Sequence, residues 1–234
     1  KLGLGTGSTA AWMVRCLGER IREEGLKVVG VPTSTRTAEL ARQVGVPIMS
    51  LDEAKWLDLT IDGADEFDPN LSLIKGGGAA LLQEKIVATA SDQMIVITDA
   101  AKEVAQLGAF PLPVEVIPFG WQTTKALIEE TLVSLDVLNR DCTLRMNGAR
   151  PLVTDEANYI IDLHLKRIGN PRQLALVLNQ IPGVVENGLF IDICDIVVIG
   201  HGDGRVTVRD INQGTEGEDF VEFAPSDNIF ADME

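Results

Sequence analysis

Lys1-Leu2-Gly3-Leu4-Gly5-Thr6-Gly7-Ser8-Thr9 runs from an apolar strand through a glycine-rich turn into a helical stretch, residues 10–23. Glycines allow the sharp turn and expose backbone N–H groups. The N-terminus of the following helix adds partial positive charge, so this turn suits an anion. Ser8 and Thr9 add hydroxyl donors. The spacing does not fit a dinucleotide fingerprint, and no acidic residue ends the second predicted strand, where Val31-Pro32-Thr33 stands. No Gly-Lys-Ser/Thr follows, which argues against a nucleoside-triphosphate loop. The turn therefore predicts a site for a single phosphate monoester, against the plainer reading of an ordinary strand-to-helix connection.

Working outward, strand and helix signals alternate through the first hundred residues. Strands are predicted at 1–4, 27–31, 57–61 and 94–98, and helices at 10–23, 33–44 and 79–90, with Ser34 or Thr35 as cap. Short, almost wholly apolar strands are expected where both faces are covered, so the pattern predicts a parallel α/β sheet. The texture changes at the stiff junction Phe110-Pro111-Leu112-Pro113. Beyond it, 114–117 and 142–146 read as strands and 121–134 and 171–180 as helices. Residues 158–165 alternate, with Tyr159, Ile161, Leu163 and Leu165 on one face and Asn158, Ile160, Asp162 and His164 on a wetter one. This middle region predicts a smaller α+β unit. Residues 195–199 again read as a buried parallel strand. The expected organisation is a Rossmann-like catalytic domain from 1–108 and 184–211, a small α+β domain from 109–183, and an irregular acidic extension from 212–234.

Two further motifs carry chemistry. Asp62-Gly63-Ala64-Asp65 ends the third predicted strand, where open α/β sheets bind ligands. Its small residues let two carboxylates approach a ligand. A magnesium site is the alternative, weighed lower because Lys75 follows closely. Lys75-Gly76-Gly77-Gly78 precedes the helix carrying Glu84. Three successive glycines suggest a backbone that wraps a ligand, with Lys75 placed to meet a developing oxyanion. Glu84 taken alone reads as an exposed helix carboxylate.

The 234 residues carry 20 basic and 35 acidic side chains, a net charge of −15. That balance argues against nucleic-acid binding, which depends on cations neutralising phosphates. No apolar run reaches the roughly 18 residues that would predict a membrane span. Cys16, Cys142 and Cys194 are scattered, which predicts reduced thiols, and only His164 and His201 could supply imidazole. The chain opens without Met inside a strand, which reads as a start within a longer protein.

The order of these motifs resembles ribose-5-phosphate isomerase of the A type over almost the whole chain. The resemblance is carried by Gly5-Thr6-Gly7-Ser8-Thr9, Asp62-Gly63-Ala64-Asp65, Lys75-Gly76-Gly77-Gly78 and Glu84-Lys85. Residues 110–118, 154–159 and 181–188 agree as well. It implies a Rossmann-like domain with a smaller ferredoxin-like one, no cofactor, no metal, and a homodimer or homotetramer. It implies interconversion of ribose 5-phosphate and ribulose 5-phosphate in pentose phosphate metabolism, with a part in carbon fixation in photosynthetic organisms. The compartment implied is cytoplasm, or plastid stroma for a photosynthetic eukaryote. Glu84 corresponds to the catalytic base, with Asp62 and Lys75 assisting. Thr6, Gly7, Ser8 and Thr9 would hold substrate, Ser8 and Thr9 on the phosphate side. Asp62, Gly63, Ala64 and Asp65 and Lys75, Gly76, Gly77 and Gly78 would line the sugar, and Lys102 would help bind it. The family's helix before the first strand has no counterpart here, and the acidic extension is longer than the family needs. A sugar-phosphate sensor, a nicotinamide-dependent dehydrogenase and a sugar-phosphate deaminase are the rival readings.

Overall fold

A computed structural model of the chain describes residues 1–221. A seven-stranded sheet runs in the order Thr215–Phe220, Arg205–Asp210, Ile196–Gly200, Met94–Asp99, Leu59–Asp62, Leu2–Leu4, Gly30–Pro32. The five strands from Ile196–Gly200 to Gly30–Pro32 are mutually parallel, and the outer two are antiparallel. The sheet is thus α/β, as the alternating signals predict. Strand Leu2–Leu4 lies between the second and third strands of the chain, so the winding direction reverses beside it. The crevice beyond its carboxyl end is where such sheets bind ligands.

Helix Ser8–Glu24 turns Ala10, Val14 and Leu17 inward, against a cluster that includes Leu4, Ala41 and Val46. Fully burying a leucine such as Leu4 contributes about 1.5–3 kcal/mol. Helix Thr35–Gln43 starts on Ser34, whose hydroxyl accepts from the Thr37 N–H. The second strand lies later than the predicted 27–31: pairing begins at Gly30, opposite Leu2.

A four-stranded antiparallel sheet has the order Val184–Asn187, Leu112–Val116, Tyr159–His164, Asp141–Leu144, with helices Trp121–Leu132 and Pro171–Leu178 in the chain between its strands. This βαββαβ order is the ferredoxin-like arrangement. Its core joins Val114, Val116, Ile161 and Leu163 to Ile128, Leu132, Leu174 and Leu178 of the helices. A third sheet, Glu66–Phe67, Leu73–Ile74 and Leu189–Phe190, connects the two.

Three expectations need correction. Residues 184–187 pair with Leu112–Val116, so they belong to the small sheet rather than the large one. Residues 215–220 are not irregular: they form an edge strand whose side chains are exposed but whose backbone pairs along Arg205–Asp210. Glu216 and Glu218 reach Arg209 and Arg205 of that neighbour, which explains how so acidic a stretch is tolerated there. Residues 222–234, the rest of the expected extension, lie outside the described residues. Finally, Ile160 is fully buried although it sits on the predicted wetter face. That face does not meet only solvent: beside it Asp162 holds Arg145, which reaches residues Gly76 and Gly77 of the large unit.

Candidate active site

The turn after Leu2–Leu4 and the turn after Leu59–Asp62 meet at the reversal point. Gly5 leaves the first strand so close to Asp62 that a Cβ there would stand 2.0 Å from Asp62 Oδ1. Only glycine permits this approach. In return, the Thr6 N–H donates to Asp62 Oδ1 at 3.0 Å, and the Gly63 N–H donates to the same oxygen at 2.7 Å. The Thr6 hydroxyl lies in a buried cluster with Thr33, Ser34 and Thr37, at 2.8, 2.8 and 3.1 Å. Thr37 also donates to the Gly5 carbonyl at 3.0 Å. Hydroxyl groups thus fill the end of the second strand, where a dinucleotide site needs a carboxylate for the ribose.

Helix Ser8–Glu24 has no side-chain cap and no acidic residue in its first turn. Its first N–H groups have no acceptor within the helix. They open onto a cavity of about 330 Å³ lined by Thr6, Gly7, Ser8, Thr9 and Ala10 on one side. Gly63, Ala64, Asp65, Lys75, Gly76, Gly77, Gly78, Glu84 and Lys102 complete the wall, together with Arg36. The structure therefore brings nearly every predicted site residue to one cavity.

Asp62 is the exception. It is fully buried and does not line the cavity, because both of its oxygens are taken up inside the protein. Oδ1 accepts the two backbone N–H groups, and Oδ2 lies 3.1 Å from Lys75 Nζ. Lys75 follows strand Leu73–Ile74, and its backbone N–H donates to the Gly188 carbonyl at 2.9 Å. Its ammonium donates to the Gly63 carbonyl at 2.6 Å and lies 3.3 Å from Glu84 Oε1. One cation thus stands between two carboxylates in a place nearly closed to solvent: Lys75 and Glu84 are 2% and 3% exposed.

The electrostatic consequence follows from that count. Burial, and then the neighbouring Asp62, push the Glu84 carboxyl up to about 8 against the partial opposition of Lys75. Burial raises the Asp62 carboxyl as well, opposed by Lys75 and the Gly63 N–H. Burial alone would lower the Lys75 ammonium, but Asp62 and Glu84 together raise it. Two backbone N–H groups donate to Asp62 Oδ1 and favour its charge, whereas no backbone N–H donates to Glu84; Asp62 Oδ2 and Glu84 Oε2 alike have no hydrogen-bond partner. A shared proton is therefore best held by Glu84.

Glu84 is not the exposed helix carboxylate that its sequence context suggests. Helix Leu81–Thr89 buries Leu81, Glu84, Val87 and Ala88 as one stripe. The spacing 81, 84, 88 was a readable signal, since residues three and four apart share a helix face. Arg36 went unnoticed in the sequence. It stands in the first turn of helix Thr35–Gln43, just past the carboxyl end of the second strand, and that location was its only signal. The two histidines are engaged elsewhere, His164 with Thr143 and His201 with Thr207. Among the described residues, no group of three or more His, Cys, Asp or Glu is placed to hold a metal ion, and no helix is long and apolar enough to cross a membrane.

Residues 29–204 match the family model described as Ribose 5-phosphate isomerase A (phosphoriboisomerase A). The chain is 76% identical to ribose-5-phosphate isomerase A of Ruegeria sp. (strain TM1040), over all of the chain and 89% of that relative. It resembles the solved ribose 5-phosphate isomerase A of Methanocaldococcus jannaschii with TM-score 0.81 and 41% identity, covering 89% of this chain and 90% of that one. A D-ribose-5-phosphate isomerase solved in complex with phospho-erythronic acid resembles it with TM-score 0.82 and 44% identity, covering 89% and 90% respectively.

Proposed function

The chain belongs to the ribose 5-phosphate isomerase A family and is an aldose–ketose isomerase of ribose 5-phosphate, and we propose that it moves the proton through an enediolate with Glu84 as general base. The observation that carries this reading is the Glu84 carboxylate itself. It lines the cavity, one oxygen lies beside Lys75, and the other has no partner within the described chain. A base must have one free oxygen and enough basicity to take a carbon-bound proton near neutral pH. Burial and Asp62 supply the second condition.

The remaining residues follow from charge. The substrate phosphate sits on the open first turn of helix Ser8–Glu24, held by Ser8 and Thr9, with Arg36 as a nearby cation in a strongly acidic protein. The chain beyond the phosphate extends toward residues 63–65 and 75–78. Glu84 takes the C2 proton and returns it to C1. Lys75 stabilises the negative oxygen that forms as the proton leaves. Asp62 keeps Lys75 charged and aimed, and assists proton movement among the hydroxyls through it. Asp65 holds the glycine loop, accepting from the Gly77 N–H at 2.7 Å, and meets the sugar from the same wall. Lys102 adds a third cation at the cavity, beside Lys75 and Arg36. The reaction as drawn needs neither cofactor nor metal, since Lys75 Nζ supplies the positive charge between the two carboxylates.

Turnover of ribose 5-phosphate to ribulose 5-phosphate in EDTA tests the reading. Wild type should be active and Glu84→Gln lower by about 10²–10⁴-fold. Normal turnover in the variant would remove Glu84 from the mechanism. Loss of wild-type activity in EDTA would return Asp62 and Asp65 to consideration as metal ligands.

A further inference from the structure

Arg145 lies far along the chain from every residue that lines the cavity, yet its guanidinium ends at the glycine loop. It follows strand Asp141–Leu144 of the small sheet, and its side chain is 15% exposed. Nε donates to Asp162 Oδ2 at 2.9 Å and Nη2 to Asp162 Oδ1 at 2.5 Å. This two-pronged pairing locks the plane of the guanidinium. The remaining nitrogen, Nη1, donates to the Gly76 carbonyl at 2.8 Å and to the Gly77 carbonyl at 3.2 Å.

The peptide bonds concerned are trans, since the described residues contain no cis peptide. In a trans peptide the C=O and N–H point in opposite directions. The bond between Gly76 and Gly77 is therefore clamped from both sides, its carbonyl by Arg145 and its N–H by Asp65. The bond between Gly77 and Gly78 is held on one side only. Arg145 takes the Gly77 carbonyl, and the Gly78 N–H on the opposite side has no partner in the described chain, while Gly78 lines the cavity.

We propose that Arg145, fixed by Asp162, is a positioning residue for the isomerisation: by gripping the Gly76 and Gly77 carbonyls it presents the Gly78 N–H to the oxyanion of the enediolate. The small sheet is then a working part of the site, not only a support for it. The proposal rests on the functional reading above. A donor that is aimed before the charge develops contributes about 10²–10³ in kcat. Arginine suits this task and lysine does not, because a single ammonium cannot pair with a carboxylate in two prongs and also hold two carbonyls.

The test compares Arg145→Lys and Arg145→Met with wild type and Glu84→Gln. Arg145→Met should lose about 10²-fold in kcat with KM changed by less than about threefold. Arg145→Lys should lose at least about tenfold in kcat. Affinity for a hydroxamate mimic of the enediolate should fall in parallel, while affinity for inorganic phosphate stays at the wild-type value. Wild-type kcat in both variants, or a loss confined to KM and phosphate affinity, would overturn the proposal. Amide NMR of Arg145→Lys supplies a readout independent of turnover. The Gly78 amide should shift while the amides of residues 6–9 do not; an unmoved Gly78 amide would overturn the proposal. Failure of the isomerase reading shows separately, as wild type without activity or Glu84→Gln with full activity.

Discussion

Lys75 and its two carboxylates set opposite expectations for two substitutions in one buried cluster. The Glu84 carboxyl titrates higher folded than unfolded, so the unfolded chain releases that proton first as pH rises. Stability from this group is therefore full at low pH and falls between about 4.5 and 8. Glu84→Gln removes the unfavourable charge and should raise stability at pH 8 by about 1–2 kcal/mol, or roughly 2–8 °C in Tm, while turnover is lost. The gain should shrink toward pH 4.5 in a calorimetric series, and a Tm below wild type at pH 8 would contradict it. Lys75→Met leaves two buried carboxylates without their cation and should cost about 3–5 kcal/mol. The same shift places the acid limb of kcat/KM well above the usual carboxylate range. A limb centred near 4.5 would show that Glu84 is not the titrating base. These charges were only partly legible in the sequence. The residue types and their order were visible, but the burial that raises Glu84, and the Asp62 charge that adds to it, depend on tertiary packing.

At the scale of elements, two turns and a glycine loop form the site because each strand ends where side chains must give way to backbone. Gly5 and Gly76 are two positions at which another residue does not fit. Gly5 lacks room beside Asp62, and Gly76 adopts φ +106° with Leu81 2.8 Å from where its Cβ would be. Gly5→Ala should displace Asp62, break the Thr6 and Gly63 hydrogen bonds to it, and loosen Lys75. The expected result is a loss of about 1–3 kcal/mol by chemical denaturation and a kcat lower by more than about tenfold. Unchanged kcat would show that Asp62 need not be held at its present distance. The glycine motifs were readable because their chemistry is local. The hold of Arg145 on the loop was not, since residues 76 and 145 are brought together only by the packing of the small sheet.

Across the whole molecule, the site lies near one end of the seven-stranded sheet and strand Thr215–Phe220 is the other edge. Truncation after Asp210 should therefore lower Tm by a few degrees and leave kcat/KM within about twofold. A large loss of activity would tie the acidic edge to catalysis. The family reading also carries a homodimer or homotetramer, and the small unit exposes Phe119, Val133, Leu138 and Leu176. Sedimentation at micromolar concentration tests it, a monomer being the contrary result. The sequence by itself determined the alternating α/β plan, the glycine-rich turn that opens the first helix and the chemical types at the site. These depend on local periodicity, on glycine's backbone freedom and on helix ends, which neighbouring residues dictate. Tertiary structure alone decided that residues 184–187 join the small sheet and that residues 215–220 pair as an edge strand, because strand partners are distant in the chain. It alone decided that Asp62 stands behind Lys75 and that Arg36 and Arg145 reach the site. Burial and charge pairing are properties of the packed chain, and they set the Glu84 carboxyl apart from an ordinary exposed helix carboxylate.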